Sequence, residues 1–157
     1  TTLEEFEHST FRTPELYFGY KFVSGRNNLG NENGFKPEKI VEYNIPLEIK
    51  QHYFYLDGKW KNSKDSMELV SENGLIMLNY NAKQVNIVAS NNAELEIFID
   101  GEHIPRHMAG IDVNQDGKVM IIEPRLYNIV DSTSTESHEL LIKVNDPKFE
   151  IFTFTFG

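Results

Sequence analysis

Residues 112–127 read DVNQDGKVMIIEPRLY, and this stretch fits two opposite structures. Its first twelve residues match the calcium loop of an EF-hand, in which Asp112, Asn114, Asp116 and Glu123 would supply oxygen ligands between two helices. The letters Asn-Gln-Asp-Gly equally favour a type I turn that ends at a left-handed Gly117 and closes a β-hairpin. The choice between the two decides whether this part of the chain is helical or extended.

The flanking residues favour the hairpin. Upstream, Pro105 and Gly110 interrupt any helix that could precede the loop. Downstream, Pro124 disfavours the helical conformation of Glu123, and KVMII (118–122) is rich in residues that prefer strands. We therefore predict a hairpin and assign no metal to it. A partial calcium site on that hairpin is kept as an alternative, at Asp112, Asn114 and Asp116.

The rest of the chain shows the period of two that is typical of half-buried strands. The pattern is present in KIVEYNI (39–45), ELEIFID (94–100), HELLIKV (138–144) and FTFTF (152–156), and turn signals such as Asp-Gly and Asn-Gly separate the runs. Many short strands with frequent turns predict an all-β antiparallel sandwich or barrel. We expect the phenylalanine-rich strand to be near the centre of a sheet, and loops at 24–35 and at DSTSTES (131–137).

Composition limits the classes of function. The chain has 157 residues, a formal net charge of -9 and no cysteine. One domain of this size can bury a core, and the acidic balance argues against a nucleic-acid partner. Without cysteine there is no disulfide, thiolate zinc site or catalytic thiol within these residues. The sequence shows no membrane-spanning run, so we expect no membrane contact by this domain.

The motifs that mark common enzymes are also missing. No G-x-S-x-G elbow and no glycine-rich phosphate loop is present. His103 and His107 have a metal-like spacing only in a helix, and Pro105 lies between them. The 24 acidic residues include no pair that stands out as a glycosidase pair. We therefore expect no enzyme activity, no cofactor and no metal in this chain.

Several short motifs share a common order with a known family. GIDVNQDGKVMIIEPRLYNIV (110–130), followed by FTFTFG at the end, resembles the C-terminal domain of DipZ-type and related thioredoxin-fold proteins. RTPELYFGY (12–20), LDGKWKNSKDSMELV (56–70) and IFIDGEHI (97–104) match further motifs of that family in order. The resemblance covers residues 13–157. It implies a jelly-roll domain, similar to carbohydrate-binding modules, that follows a thioredoxin-like domain.

The resemblance also implies domain boundaries, partners and a location. Residues 1–12 would be a linker from the preceding thioredoxin-like domain, and residues 13–157 the jelly-roll accessory domain. The expected partners are that thioredoxin-like domain, a saccharide, or a second copy of the chain in a homodimer. The expected location is extracytoplasmic or periplasmic.

The polar family motifs supply the candidate ligand residues. Arg125 is a forked donor for hydroxyls or carboxylates, or else it pairs with Glu15 or Glu123. Trp60, the only tryptophan, would stack on a sugar ring or fill the core, and aromatic residues are more often core. Because Pro14 and Pro124 favour sheet edges, we hypothesise that the motifs TPELY (13–17) and EPRLY (123–127) bring Glu15, Tyr17, Arg125 and Tyr127 into one cluster, with Trp60 adjacent. The candidate ligand-binding residues are Glu15, Tyr17, Trp60, Arg125 and Tyr127.

Three functions from different classes are compatible with these residues. The first is a non-catalytic module that binds a saccharide or a peptidoglycan-like glycan. The second is an interaction domain that docks on its thioredoxin-like neighbour or dimerises. The third, and least favoured, is a glycan hydrolase. A glycan array separates the first function from the second, and the release of sugars reveals the third.

Overall fold

The structure is a computed structural model that describes residues 11–157, and in this part of the chain it contains strands and one short 3-10 turn (Tyr20–Phe22) but no α-helix. The strands are β1 (Leu16–Tyr17), β2 (Ile40–Tyr43), β3 (Phe54–Asn62), β4 (Met67–Leu69), β5 (Gly74–Ser90), β6 (Ala93–Ile99), β7 (Glu102–His103), β8 (Lys118–Ile121), β9 (Arg125–Val144) and β10 (Glu150–Phe156). The linker expected at residues 1–12 falls, for its first ten positions, outside the described residues.

Two long strands form the spine of the molecule. β5 has 17 residues and β9 has 20, and they pair antiparallel along most of their length. Their two halves have different neighbours: the first half of β5 pairs with β3 and its second half with β10, while the second half of β9 pairs with β6. The spine therefore belongs to both layers of the fold.

Shorter strands complete the two layers. β2 adjoins β3, β7 and β8 adjoin β6, and β1 adjoins β10, while β4 pairs with both β3 and β10. All these pairings are antiparallel. The all-β fold predicted from the sequence, an antiparallel β-sandwich of jelly-roll type, is thereby confirmed. The phenylalanine-rich strand β10 is flanked by β5 on one side and by β4 and β1, one after the other, on the other side.

Alternating residues of the strands build the core between the layers. In β5 the side chains of Ile76, Leu78, Tyr80 and Ile87 are fully buried, and they alternate with partly exposed residues, except at Asn81, which is buried as well. Fully burying one large apolar side chain stabilises the fold by about 1.5–3 kcal/mol. The largest fully buried side chains include Trp60, Tyr43, Tyr127, Phe18, Phe54, Phe149 and Phe154.

The prediction of a loop at the Ser/Thr stretch 131–137 is wrong. This stretch is not a loop between two strands, because β9 runs through it and pairs with β5 on both sides. Gln84 pairs with Asp131 and Ala82 with Glu136, so Lys83 alone faces residues 132–135. Those four residues form a large bulge, which bends the strand. The low hydropathy reflects this bulge, in which residues 133–135 are exposed and Ser132 is buried, and beyond it the ladder resumes with the same partner strand.

Residues 112–123 form the predicted hairpin. The Asn114 N–H donates to the Lys118 carbonyl at 2.8 Å, and Val113 forms a bridge with Val119. Gly117 has a φ of 75°, the left-handed conformation that this turn requires. No helix precedes or follows the turn within the described residues, so the EF-hand alternative does not apply.

Candidate ligand sites

Arg125 is held from several directions. Its Nη2 donates to Asp112 Oδ1 at 2.9 Å, its Nε is 3.6 Å from Glu123 Oε1, and its guanidinium lies 3.8 Å from the centroid of the Tyr127 ring. Asp112 Oδ2 also accepts the Asn128 N–H at 2.8 Å. Burial opposes ionisation of Asp112, but Arg125 and the Asn128 N–H outweigh it and lower the pKa of this carboxyl. Arg125 thus pairs with Asp112 and Glu123 and not with Glu15.

Tyr127 is a core residue with a bound hydroxyl. Its side chain is 1% exposed. The hydroxyl donates to the Glu123 carbonyl at 2.7 Å and accepts the Ile122 N–H at 3.0 Å. These hydrogen bonds attach the connection between β8 and β9 to the core. The Tyr127 ring therefore packs against the Arg125 guanidinium and is not exposed to solvent.

Glu15 and Tyr17 form a separate cluster on β1. The Tyr17 hydroxyl donates to the Glu15 carboxylate, and its ring stacks on Phe22 with centroids 4.1 Å apart. The Arg26 guanidinium lies 5.5 Å from the centroid of the Tyr17 ring. The hydrogen bond to Glu15, followed by burial, raises the pKa of Tyr17. The Tyr17 side chain is half-buried, and its exposed part lies on the outer face of the sheet.

The two polar motifs share a sheet but not a cluster. Tyr17 pairs with Thr153, Thr153 with Val88, and Val88 with Leu126, next to Arg125. Three strand spacings separate the motifs by roughly 14 Å. No hydrogen bond or ion pair among residues 11–157 joins them. The structure does not bring the four residues together as hypothesised, because β10 and β5 lie between them.

Trp60 fills the core. It is 0% exposed, and its Nε1 donates to the Asp57 carbonyl at 2.9 Å. Its ring meets Phe149 edge to face at 6.4 Å, and a Cβ on Gly74 would lie 2.9 Å from it. Both the ring faces and the N–H are therefore occupied by the protein itself, as the core alternative for this residue requires.

Two of the residues in the calcium pattern, Asp112 and Asn114, use their side-chain oxygens within the protein. Asn114 Oδ1 accepts the N–H groups of Asp116 and Lys118, both at 3.0 Å, and the Asp112 carboxylate is bound by Arg125 and Asn128. His103 packs against Phe98 with ring centroids 4.6 Å apart. Residues 11–157 contain no group of three or more His, Asp or Glu side chains arranged to hold a metal ion. In this hairpin Asn114 Oδ1 closes the turn and is not free to bind a metal ion.

A cavity of about 670 Å³ lies between two loops that the sequence did not mark as a site. Residues 30–33 and 44–50 form its walls, with strand residues Glu42 and Tyr55 between them. Asn31, 5% exposed, joins the walls: its Nδ2 donates to the carbonyls of Asn44 and Leu56. Its Oδ1 accepts the Leu56 N–H at 2.9 Å. The cavity is therefore braced by a buried side chain.

The close packing behind the cavity depends on Gly30. A Cβ at this position would lie 2.2 Å from the Tyr55 ring, so a larger residue would push the loop away. The Tyr55 hydroxyl accepts the Lys50 N–H at 2.9 Å and fixes the opposite wall. The length of the loop at 24–35 is the one sequence signal that points here, since long loops in compact domains are often functional.

The cavity is rich in hydrogen-bonding groups that the protein does not use. The carboxylates of Glu32, Glu42 and Glu48 have no hydrogen-bond or ion-pair partner among the described residues. Lys50 and the carboxamide of Asn44 add donors, whereas Asn33 Nδ2 already donates to the Glu42 carbonyl at 3.3 Å. Hydroxyl groups of a ligand could donate to the carboxylates and accept from the other side chains.

Comparison with known proteins places the chain in a family. The model of the thioredoxin-like C-terminal domain matches residues 13–157. The chain belongs to that family. Two curated relatives, each called protein DipZ, come from Mycobacterium bovis and Mycobacterium tuberculosis and are 24% identical over all 157 residues. The chain spans 20% of their length. In this family member, residues 11–157 contain no helix long and apolar enough to cross a membrane.

Solved structures show a looser likeness. A family two carbohydrate esterase from Clostridium thermocellum, in complex with cellohexaose, aligns with a TM-score of 0.46 at 11% identity over 59% of this chain and 27% of that chain. A family 6 carbohydrate-binding module aligns with a TM-score of 0.37 at 11% identity over 78% of this chain and 96% of that chain.

Proposed function

We propose that this family member is a non-catalytic accessory domain of a thioredoxin-family thiol–disulfide oxidoreductase, and that it binds a saccharide in the cavity between residues 30–33 and 44–50. Family membership and the 20% coverage of the relatives support a place beside other domains. The absence of cysteine in this chain supports the view that any thiol chemistry of the whole protein belongs to other domains. The extracytoplasmic location expected from the resemblance is part of the same proposal.

The observation that carries the saccharide proposal is the set of unused polar groups around a braced cavity. Ligand sites typically have volumes of roughly 300–1,000 Å³, a range that includes this cavity. Three carboxylates without partners suit a neutral ligand with many hydroxyl donors, and they disfavour an anionic one. Because Asn31 and Gly30 hold the walls, binding needs little ordering of the loops.

A glycan array followed by calorimetric titration tests this function. We expect binding of a neutral oligosaccharide, and we expect Glu42→Gln to weaken it about tenfold, since a charge-assisted hydrogen bond contributes about 1.5 kcal/mol or more. Glu72→Gln, an exposed change outside the cavity, is the matched control. Absence of glycan binding, or equal affinity in Glu42→Gln and the unmodified protein, would overturn the proposal. Release of sugars during the titration would instead support the hydrolase.

A second candidate function is docking on the thioredoxin-like domain or formation of a homodimer. Three large apolar side chains lie exposed around Arg125: Ile111 is 89%, Ile122 is 67% and Leu126 is 47% exposed. The Ile111 N–H donates to Asn128 Oδ1, and the Ile122 N–H to Tyr127, so both flank the start of β9. Exposed apolar residues of this kind often mark interfaces.

Mass measurement in solution distinguishes this candidate from the first. If the surface around Arg125 is an interface, light scattering will show a dimer or a complex with the thioredoxin-like domain, and Ile122→Asp will dissociate it. A monomer with no affinity for that domain would contradict this candidate. Arg125 also remains a proposed ligand residue in that surface, and so do Glu15 and Tyr17, which lie three strand spacings away in the same sheet.

A further inference from the structure

A second cavity, of about 320 Å³, lies beside His138, and its lining includes Gln51, which follows Lys50 of the first cavity in the sequence. Gln51 and Asn79 form one wall, and the turn after β6 and the second half of β9 form the other. The side chains that line it include Gln51, Asn79, Tyr80, Asp100, His138 and Glu139. None of these belongs to the first cavity.

His138 is fixed between two carboxylates. Its Nδ1 lies 2.6 Å from Asp100 Oδ2, and its Nε2 lies 2.8 Å from Glu136 Oε1. Asp100 is itself held at both ends, because its Oδ1 accepts the Glu139 N–H at 2.9 Å and its own N–H donates to the Glu139 carbonyl at 2.8 Å. The wall of the cavity is therefore rigid and carries an imidazole whose two nitrogens both have partners.

The charges around this imidazole are unbalanced. Asp100, Glu136 and Glu139 contribute three negative charges, and a protonated His138 contributes one positive charge, so the local sum is -2. The Glu139 carboxylate has no hydrogen-bond or ion-pair partner in the described part of the chain, and the same holds for the carboxamides of Gln51 and Asn79. The cavity thus presents excess negative charge together with neutral hydrogen-bonding groups.

The unpartnered hydroxyl of Tyr80 points independently to a ligand. Tyr80 lines the cavity and lies directly opposite His138 in the β5–β9 ladder. Its side chain is 0% exposed, and its hydroxyl finds no hydrogen-bond partner among residues 11–157. A buried hydroxyl without a partner costs about 1–3 kcal/mol, and such groups usually have a partner in proteins. Asp100 and Glu136 lie close enough to act electrostatically on this hydroxyl.

We propose that the cavity beside His138 binds a small amine-bearing polyol, of which an amino sugar with a free ammonium group is the simplest example. The ammonium group would face Glu139 and Asp100, where the local charge is negative. Ligand hydroxyls would bond to Tyr80, Gln51 and Asn79, which lack partners. This site does not depend on the proposed saccharide cavity, which shares no lining residue with it.

Titration by NMR with glucosamine, glucose and N-acetylglucosamine tests the inference. We expect glucosamine to shift the resonances of residues around His138 and to bind at least tenfold more tightly than the two neutral sugars. Equal affinity for all three sugars would overturn the inference, because the ammonium group would then contribute nothing.

Two variants locate the binding. Tyr80→Phe keeps the ring in the core and removes only the unpartnered hydroxyl, so we expect it to fold and to bind glucosamine about fivefold more weakly. Glu139→Gln should weaken binding by a similar factor. Glu72→Gln, an exposed change outside both cavities, should leave glucosamine binding unchanged. If Tyr80→Phe and Glu139→Gln bind as the unmodified protein does, the site is not the one proposed, whereas a loss in Glu42→Gln alone would move the ligand to the first cavity.

Discussion

The guanidinium of Arg125 shows how exposure sets the energy of an ion pair. Its side chain is 42% exposed, and its partner Asp112 is 20% exposed. Solvent screens a pair of this kind, which makes it weaker than a buried pair, whose disruption costs about 3–5 kcal/mol. The sequence left open whether Arg125 would be buried, because a Glu-Pro-Arg motif fits a strand start in either case.

Arg125→Ala is expected to destabilise the domain by about 1 kcal/mol and to leave the fold intact. The variant loses a screened ion pair and a cation–π contact with Tyr127, while Asp112 keeps the Asn128 N–H. Urea unfolding of Arg125→Ala beside Arg106→Ala, an exposed control, measures this loss. A loss of about 3 kcal/mol or more would show that the pair is buried in solution.

His138 is expected to make stability depend on pH near neutrality. Burial opposes its protonation, but Glu136 and Asp100 outweigh burial and raise the pKa of the imidazole above its usual value of about 6.5. The other charged groups nearby are Glu139 and, acting on Glu136, His107. A raised folded-state pKa gives stability that is fully present below about pH 6.5 and is lost as pH rises through the folded-state value.

Thermal melts between about pH 5.5 and 8.5 measure this effect. The difference in melting temperature between the unmodified protein and His138→Gln should be largest at the acid end of this range and should shrink as pH rises. His103→Gln, which removes a histidine without a carboxylate on each nitrogen, is the control. A difference that grows with rising pH would mean that the imidazole is held neutral in the fold.

At the scale of elements, the turn at 114–117 depends on one glycine. Gly117 has a φ of 75°, and the nearest atom to an added Cβ is His103 Nδ1 at 3.9 Å, so space is not limiting. We expect Gly117→Ala to cost about 1–2 kcal/mol, because an L-residue resists the left-handed conformation. Gly25→Ala, where an added Cβ meets nothing within 4 Å, is the matched control. Equal stability of the two variants would contradict the assigned turn.

Calcium should leave the same hairpin unaffected. Asn114 uses its side-chain oxygen to close the turn, and Asp112 binds Arg125 and Asn128. A site with a Kd of about 1 μM would stabilise the domain by roughly 4 kcal/mol at a thousandfold excess of calcium. We expect no change in melting temperature in millimolar calcium. A rise of several degrees that disappears in Asp116→Ala would restore the partial calcium site.

Local patterns in the sequence were sufficient to predict the strands and the hairpin, but they could not predict which distant elements pair with each other. Alternation of Leu and Ile in 94–100 and the Asn-Gln-Asp-Gly turn are local signals, and both elements formed as predicted. The bulge at 132–135 is not visible in the sequence, because low hydropathy is the same in a loop and in an exposed bulge. The first cavity was also hidden, since Asn31 joins segments more than ten residues away.

At the scale of the whole molecule, the two layers cannot separate without breaking the spine. One half of β5 and one half of β9 lie in each layer. The bulges near Lys83 mark where the two strands bend from one layer to the other. The core is likewise continuous, with Trp60 in one region and Phe154 in another of the same cluster. A shared backbone and a shared core favour one cooperative unfolding transition.

Trp60 makes this cooperativity measurable, because it is the only tryptophan and is fully buried against Phe149. During urea unfolding, its fluorescence should shift to the red in the same transition that removes the far-UV circular dichroism of the strands. Both probes should yield one midpoint and one slope, since the region around Trp60 cannot open while the strand halves that pair with β10 stay folded. A fluorescence transition at a lower urea concentration than the loss of strand signal would show that the layers unfold separately despite their common strands.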